Sequence, residues 1–181
     1  MLFRKIKNNY GLTLVESTIA LGILMVGILA SLVLMLATFN YIRQAEREVV
    51  VVNLAREGIE IMRAVRNNQN DNDPNDVDIF DGSYDGKQYF LDIEDDNQAS
   101  TFGLNEVLSP VAVEQCNECK LYLKNGKYVH DNRGIPTDYR RMITIKPTGV
   151  AYEKIILSEL SWTTKGNTYF YKLKTHLSDW Q

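Results

Sequence analysis

Between Ser17 and Phe39 the chain carries no charged side chain, and the one charge at the head of that stretch is Glu16. Such a run is long enough to cross a bilayer as a helix, which takes about 20 apolar residues. In lipid a lone segment must satisfy its own backbone hydrogen bonds, so a single span has to be helical. A carboxylate placed in such a helix costs roughly 2.5–3.5 kcal/mol at bilayer depth. A chain carries that cost only where something later offsets it. A secretory signal peptide has a shorter apolar region, about 7–15 residues, followed by a small-residue cleavage site. Here the run is longer and the small residue, Gly11, precedes it. A plain uncleaved anchor would fit the length but leaves Glu16 without a purpose. Arg4, Lys5 and Lys7 before the run place the leader on the cytoplasmic side and the C-terminal part outside.

The junction itself reads Gly11-Leu12-Thr13-Leu14-Val15-Glu16. It resembles the class III signal of type IV prepilins and pseudopilins: a basic leader ending in Gly, a hydrophobic residue, Thr-Leu, any residue, then Glu. The resemblance implies cleavage after Gly11 by prepilin peptidase and methylation of the new amino group on Leu12. It further implies that Thr13, Leu14 and Glu16 serve assembly. The implied partners are prepilin peptidase, other pilin or pseudopilin subunits, an inner-membrane assembly platform and membrane lipid. The implied location is the cytoplasmic membrane, single-pass with the head outside, and then an extracellular or periplasmic filament. Leu12 stands where most of the family has Phe, which points toward a minor pilin or pseudopilin. The family often has a helix-kinking Pro in the apolar stretch, whereas the first Pro here is Pro74.

Downstream, periodicity continues the helix. Val49, Val52, Ala55, Ile59, Met62 and Val65 recur near a 3.6 period, with Arg47, Arg56, Glu57, Glu60, Arg63 and Arg66 around them. This predicts an amphipathic half with one face free to pack on a domain. An Asn/Asp tract through Asn75 ends it. The remainder reads as β. Tyr89–Ile93 is a short strand. Lys120–Leu123 and Lys127–His130 flank Asn125-Gly126, a hairpin signal. Tyr139–Lys146 runs to Pro147, and Lys154–Thr164 and Thr168–Leu177 flank Lys165-Gly166-Asn167. On the last strand Tyr169, Tyr171, Leu173 and Leu177 share a face, so a half-buried antiparallel sheet can cover the helix. The expected fold is α+β, a long N-terminal helix packed on a C-terminal antiparallel sheet, which is pilin-like. The expected segments are a leader over 1–11, an apolar helix over 12–39, its amphipathic continuation over 40–69, an acidic loop-rich stretch over 70–119 and the sheet over 120–181. Trp162 and Trp180 are expected packing anchors.

Two cysteines, Cys116 and Cys119, lie in an outward-facing domain, where a disulfide is the default. Redox-active thiols need a helix after the first Cys, and a zinc site needs about four ligands, which His130 and His176 would have to complete. Charge is segregated: residues 67–119 hold thirteen acids and one Lys, and residues 120–181 hold eleven bases and five acids. A solvated acidic stretch beside a basic sheet is one reading, and head-to-tail complementarity between subunits is the other. Asp71, Asp73 and Asn75 match EF-hand ligand positions, but Asp76 and Gly82 replace the required Gly and Glu. A looser calcium cage is the alternative that remains. Lys120, Lys124, Lys127, Arg140, Arg141, Lys172 and Lys174, interleaved with Tyr122, Tyr128 and Tyr139, could meet DNA phosphates and bases. No catalytic constellation or Gly-rich phosphate loop is present in the sequence, so an enzyme with a small-molecule substrate is not expected, nor is a cofactor. A membrane-anchored extracytoplasmic redox or sensor domain and a DNA-binding competence pilin are the competing expectations.

Overall fold

Helix α1 spans Leu14–Asn68, so the apolar and amphipathic halves form one element without a break. The structure, a computed structural model, describes residues 13–68, 77–94, 101–109 and 111–179. The chain divides into two compact units, one ending at Arg47 and one beginning at Glu48. In the first unit the large apolar side chains from Leu14 to Leu36 are all exposed. That stretch is one helix segment long and apolar enough to cross a membrane. The hydroxyls within it bond back to the helix: Thr18 Oγ1 donates to the Val15 carbonyl, Ser31 Oγ to Gly27 and Thr38 Oγ1 to Leu34, at 2.8–2.9 Å. Polar side chains are thereby satisfied locally, as an apolar surrounding requires.

The second unit packs residues Glu48–Asn68 of α1 against a seven-stranded antiparallel sheet. The strands are β1 (Gln88–Glu94), β2 (Thr101–Glu106), β3 (Lys120–Lys124), β4 (Lys127–Val129), β5 (Ile135–Pro147), β6 (Glu153–Thr164) and β7 (Asn167–Ser178). β5 is central. One of its edges is shared by β3 near its start and β1 near its end, and the other edge carries β6 and then β7. Two tight turns close hairpins as the sequence predicts. Asn125 and Gly126, and Lys165 and Gly166, all have positive φ, the backbone that matches strand twist in two-residue loops.

Three features differ from the sequence reading. β2 is a strand inside the stretch expected to be loop-rich; it is held by its pairing to β1, and its Gly103 and Asn105 mask the strand pattern. β5 starts four residues earlier than the run from Tyr139 suggests, because β3 supplies a partner for Ile135 and Pro136. The buried stripe of α1 is rotated: Val51, Leu54, Ala55, Ile59, Ile61, Met62 and Val65 face the sheet, whereas Val49 is exposed and Val52 half-buried. Periodicity alone could not choose between these overlapping stripes in an all-valine run from Val49 to Val52.

The core follows the helix along the sheet. Val51, Leu54 and Ala55 pack with Leu121, Leu160 and Trp162. Ile59, Met62 and Val65 pack with Ile143, Ile145, Ile156 and Leu177. The expected face of β7 is seen, since Tyr171 and Leu173 lie against these clusters. Trp180 lies outside the described residues. The opposite sheet face is not left to solvent throughout: Val107, Val113, Cys116 and Cys119 bury Met142 there.

Gly58 lets helix and sheet approach. A Cβ at that position would lie 3.0 Å from Ile143 Cδ1 and 3.0 Å from Ser158 Oγ. Glycine costs about 1 kcal/mol of helix propensity against Ala, a cost that close packing offsets here. Replacing Gly58 with Val should destabilise the second unit by roughly 1–3 kcal/mol through overpacking. Thermal unfolding followed by circular dichroism checks this; an unchanged midpoint would mean that the approach is not tight.

Candidate functional site

Of the residues assigned to processing and assembly, Gly11 and Leu12 lie outside the described residues, and Thr13, Leu14 and Glu16 form the start of α1. Thr13 is the N-cap. Its Oγ1 accepts the Glu16 N–H at 3.3 Å, and its carbonyl accepts the Ser17 N–H at 3.1 Å. Thr-x-x-Glu is the pattern of a capping box, in which the N-cap hydroxyl satisfies an orphan helix donor. The sequence reading did not include this cap, although the Thr-x-x-Glu spacing signals it, and it is independent of any assembly role. Glu16 sits in the first turn, where a negative charge is favoured by the helix dipole, typically by 0.3–1 kcal/mol. That gain is smaller than the cost of a carboxylate in lipid, so capping alone does not account for Glu16. Its side chain and that of Leu14 are exposed.

Cys116 and Cys119 form a disulfide, with 3 % and 0 % of each residue exposed. The Cys119 N–H points at Cys116 Sγ, 3.1 Å away, and the Cys119 carbonyl accepts the Arg141 N–H at 2.8 Å. The bridge therefore pins the segment that covers the outer sheet face to the central strand. A sulfur so enclosed is poorly placed for thiol–disulfide exchange, which requires access by an attacking thiolate.

The basic set expected for DNA is divided by the fold. Arg141 is fully buried under α1, where its Nη1 donates to the Leu54 carbonyl at 3.3 Å and pairs with Glu57 at 3.4 Å. Burial pushes its pKa down and Glu57 opposes that. Odd-numbered residues of β5 point toward the helix, which removes Arg141 from any phosphate. Lys124 is paired to Asp131 at 2.6 Å and Lys172 is paired to Glu159. Tyr128 and Tyr139 meet edge to face on the helix side of the sheet, 5.8 Å apart. Lys120, Arg140, Lys172 and Lys174 fall on the outer face by register.

The calcium reading rested on Asp71, Asp73 and Asn75, which lie outside the described residues. Within the described part of that segment, Asp78 Oδ1 accepts the Phe80 N–H and Asp81 Oδ1 accepts the Ser83 N–H, local turns that occupy these carboxylates. Among the described residues no group of three metal-ligating side chains gathers. His130 and His176 are separated: His176 is exposed on the outer face of β7, and His130 is enclosed after β4.

His130 is the residue that sequence reasoning under-read. Its Nδ1–H donates to the Leu91 carbonyl at 2.5 Å, its ring lies 5.5 Å from Phe90, and its Nε2 is buried. Burial first, and the Arg141 charge second, push its pKa down to about 4. Beside it Asp131 is held well below the ordinary carboxylate range by hydrogen bonds from Arg133 and Lys124. Tyr89 is pushed up to about 12 by burial and by the nearby Glu106 charge. These shifts follow from burial, hydrogen bonds and neighbouring charges.

No family model matches this chain, and no curated protein or solved structure matches it.

Two outcomes are expected. The folded protein should keep the Cys116–Cys119 bridge in millimolar reductant and lose it when denatured, as read by alkylation and mass; ready reduction of the native state would revive the redox reading. For His130, the unfolded chain takes up a proton near pH 6.5 and the folded chain near 4. Stability is therefore full above pH 6.5 and falls by about 3 kcal/mol as pH drops to 4, the lower part of that window overlapping the carboxylate range. His130→Asn should flatten that slope in pH-dependent denaturation; an unchanged slope would assign it to other groups.

Proposed function

We propose that this chain is a structural subunit, a minor pilin or pseudopilin, of a type IV pilus or type II secretion-like filament. The observation that carries the reading is the Gly11–Glu16 junction set at the head of an exposed apolar helix that continues as the spine of a β-sheet head. Prepilin peptidase removes the leader after Gly11 and exposes the Leu12 ammonium group, whose charge methylation leaves in place. Before assembly the apolar half of α1 lies in the cytoplasmic membrane.

On assembly, Glu16 of an incoming subunit pairs with the Leu12 amine of its neighbour. In a low-dielectric bundle the attraction is stronger than in water, while desolvation of both charges opposes it. The pair thus sets register and direction more than it adds stability. The surrounding side chains, among them Leu21, Leu24, Ile28 and Leu32, exchange lipid for neighbouring helices. Gly22 and Gly27 have nothing within 4 Å of a Cβ position, so the helix surface offers small-residue sites for close approach.

The reading is tested by Glu16→Ala. The variant should lose its leader normally but be depleted from sheared or purified filaments by an order of magnitude or more, about the factor that 1.4 kcal/mol commands. Incorporation equal to wild type would remove the pairing argument.

A further inference from the structure

We infer that the open edge of β7 is a docking strand for an extended acidic segment of a different protein, which adds to the sheet antiparallel to β7. The contact does not depend on the filament-subunit reading, because β7 belongs to the head.

Among the described residues β7 pairs with β6 and with no other strand. Its register with β6 runs from Glu153↔Ser178 to Thr164↔Asn167 without a shift, and it contains no proline. The other sheet edges are shorter: β2 has six residues, one of them Gly103, and β4 has three. A long edge is usually blunted by shortening, a bulge, a proline or charge, because its open backbone groups template further pairing. On β7 charge is the one such device present.

The hydrogen-bonding phase of β7 is fixed at both ends. Thr164 and Asn167 flank a two-residue turn and form a bonded pair, since a β-turn joins the i carbonyl to the i+3 N–H. Just past the strand, the Asp179 N–H donates to the Tyr152 carbonyl at 2.9 Å. Bonded and non-bonded pairs alternate along an antiparallel ladder. Odd-numbered residues of β7 therefore bond β6, and Thr168, Phe170, Lys172, Lys174 and His176 turn their N–H and carbonyl groups to the open edge. Ser178 belongs to the same set, and its carbonyl accepts from Arg66 Nη1 at 3.2 Å, which closes the edge at that end.

The side chains of the edge-facing residues fall on the outer face. Lys172, Lys174 and His176 are exposed there, and β7 carries no acid from Asn167 to Ser178. Lys172 pairs with Glu159, whereas Lys174 lies across from Leu157 and His176 across from Ile155. On the helix side Tyr169 is 40 % exposed, and Tyr171 and Leu173 are half-buried at the rim of the core. An added strand thus meets cations on one face and an apolar rim on the other.

That pattern selects the occupant. Two copies of β7 overlapping along their length would set Lys172 and Lys174 opposite or diagonal to the same lysines, and like charges directly opposite destabilise a strand pair. A strand with acids opposite Lys172 and Lys174 and apolar residues between them matches both faces. In this mode of recognition main-chain bonds supply affinity and alternate side chains supply specificity.

The test uses the full-length chain in detergent micelles. The probe is a fluorescent peptide of about nine residues alternating Glu and Val, the length of Thr168–His176. Anisotropy should show saturable binding of this peptide and none of its Lys/Val counterpart. N-methylation of the glutamate amides, which face β7 in the antiparallel register, should abolish binding, and N-methylation of the valine amides should leave it. Lys174→Glu, which spares the Lys172–Glu159 pair, should weaken binding about fivefold. Absence of binding overturns the inference. Binding that survives methylation of the glutamates also overturns it, since that is charge attraction without strand addition. A protein dimer that the peptide disperses, read by light scattering, would assign the edge to a second copy and overturn it as well.

Discussion

The large apolar side chains of α1 from Leu14 to Leu36 lie open to the surroundings, and what they meet decides what the molecule is. Moving each from water into an apolar environment is worth roughly 1.5–3 kcal/mol. This half of the helix is long and apolar enough to cross a membrane. The same element then changes solvent: from Val51 onward its buried stripe faces β5 and β6. A continuous helix with two different partners explains why Gly58, Arg141 and Glu57 matter. They fix the face that α1 shows to its own sheet, through a glycine that admits Ile143 and Ser158 and a buried guanidinium bonded to the Leu54 carbonyl.

The head is built to be held rigidly. Its sheet is covered by α1 on one side and, over β5 and β1, by the segment that the Cys116–Cys119 bridge closes on the other. Some polar groups drawn into that packing are tied, Lys154 to Asp85, Glu159 to Lys172 and His130 Nδ1 to the Leu91 carbonyl, whereas the hydroxyls of Thr144, Ser158 and Ser161 are buried without a hydrogen-bond partner. Arg141 remains the costliest group, because its Nε and Nη2 are buried beyond what Leu54 and Glu57 satisfy. Replacing a buried ion pair with apolar residues is often neutral or stabilising, so the Arg141–Glu57 pair is no measure of the head's stability.

Much of this was legible in the sequence for identifiable reasons. The span, the two hairpin turns and the shared face of Tyr171, Leu173 and Leu177 all follow from local chemistry with a fixed period. The features that escaped depend on partners far along the chain. β2 forms because β1 is beside it, and β5 extends because β3 reaches Ile135. Arg141 reads as surface charge in a basic strand and is buried only because β5 turns its odd-numbered face to the helix. His130 reads as a spare imidazole and proves to be packed against Phe90. Glu16 is the reverse case. Its proposed role rests on the sequence, whereas within one copy of the chain it shows only a first-turn carboxylate beside its N-cap.

The central claim is that the chain is processed to begin at Leu12 and assembles through the helix that follows. Intact mass and N-terminal sequencing of the protein recovered from cells with and without a prepilin peptidase test it most directly. The account predicts a peptidase-dependent chain starting at Leu12, with one added methyl group. A chain that keeps Met1 to Gly11 in the presence of active peptidase would contradict it and leave α1 as an ordinary membrane anchor.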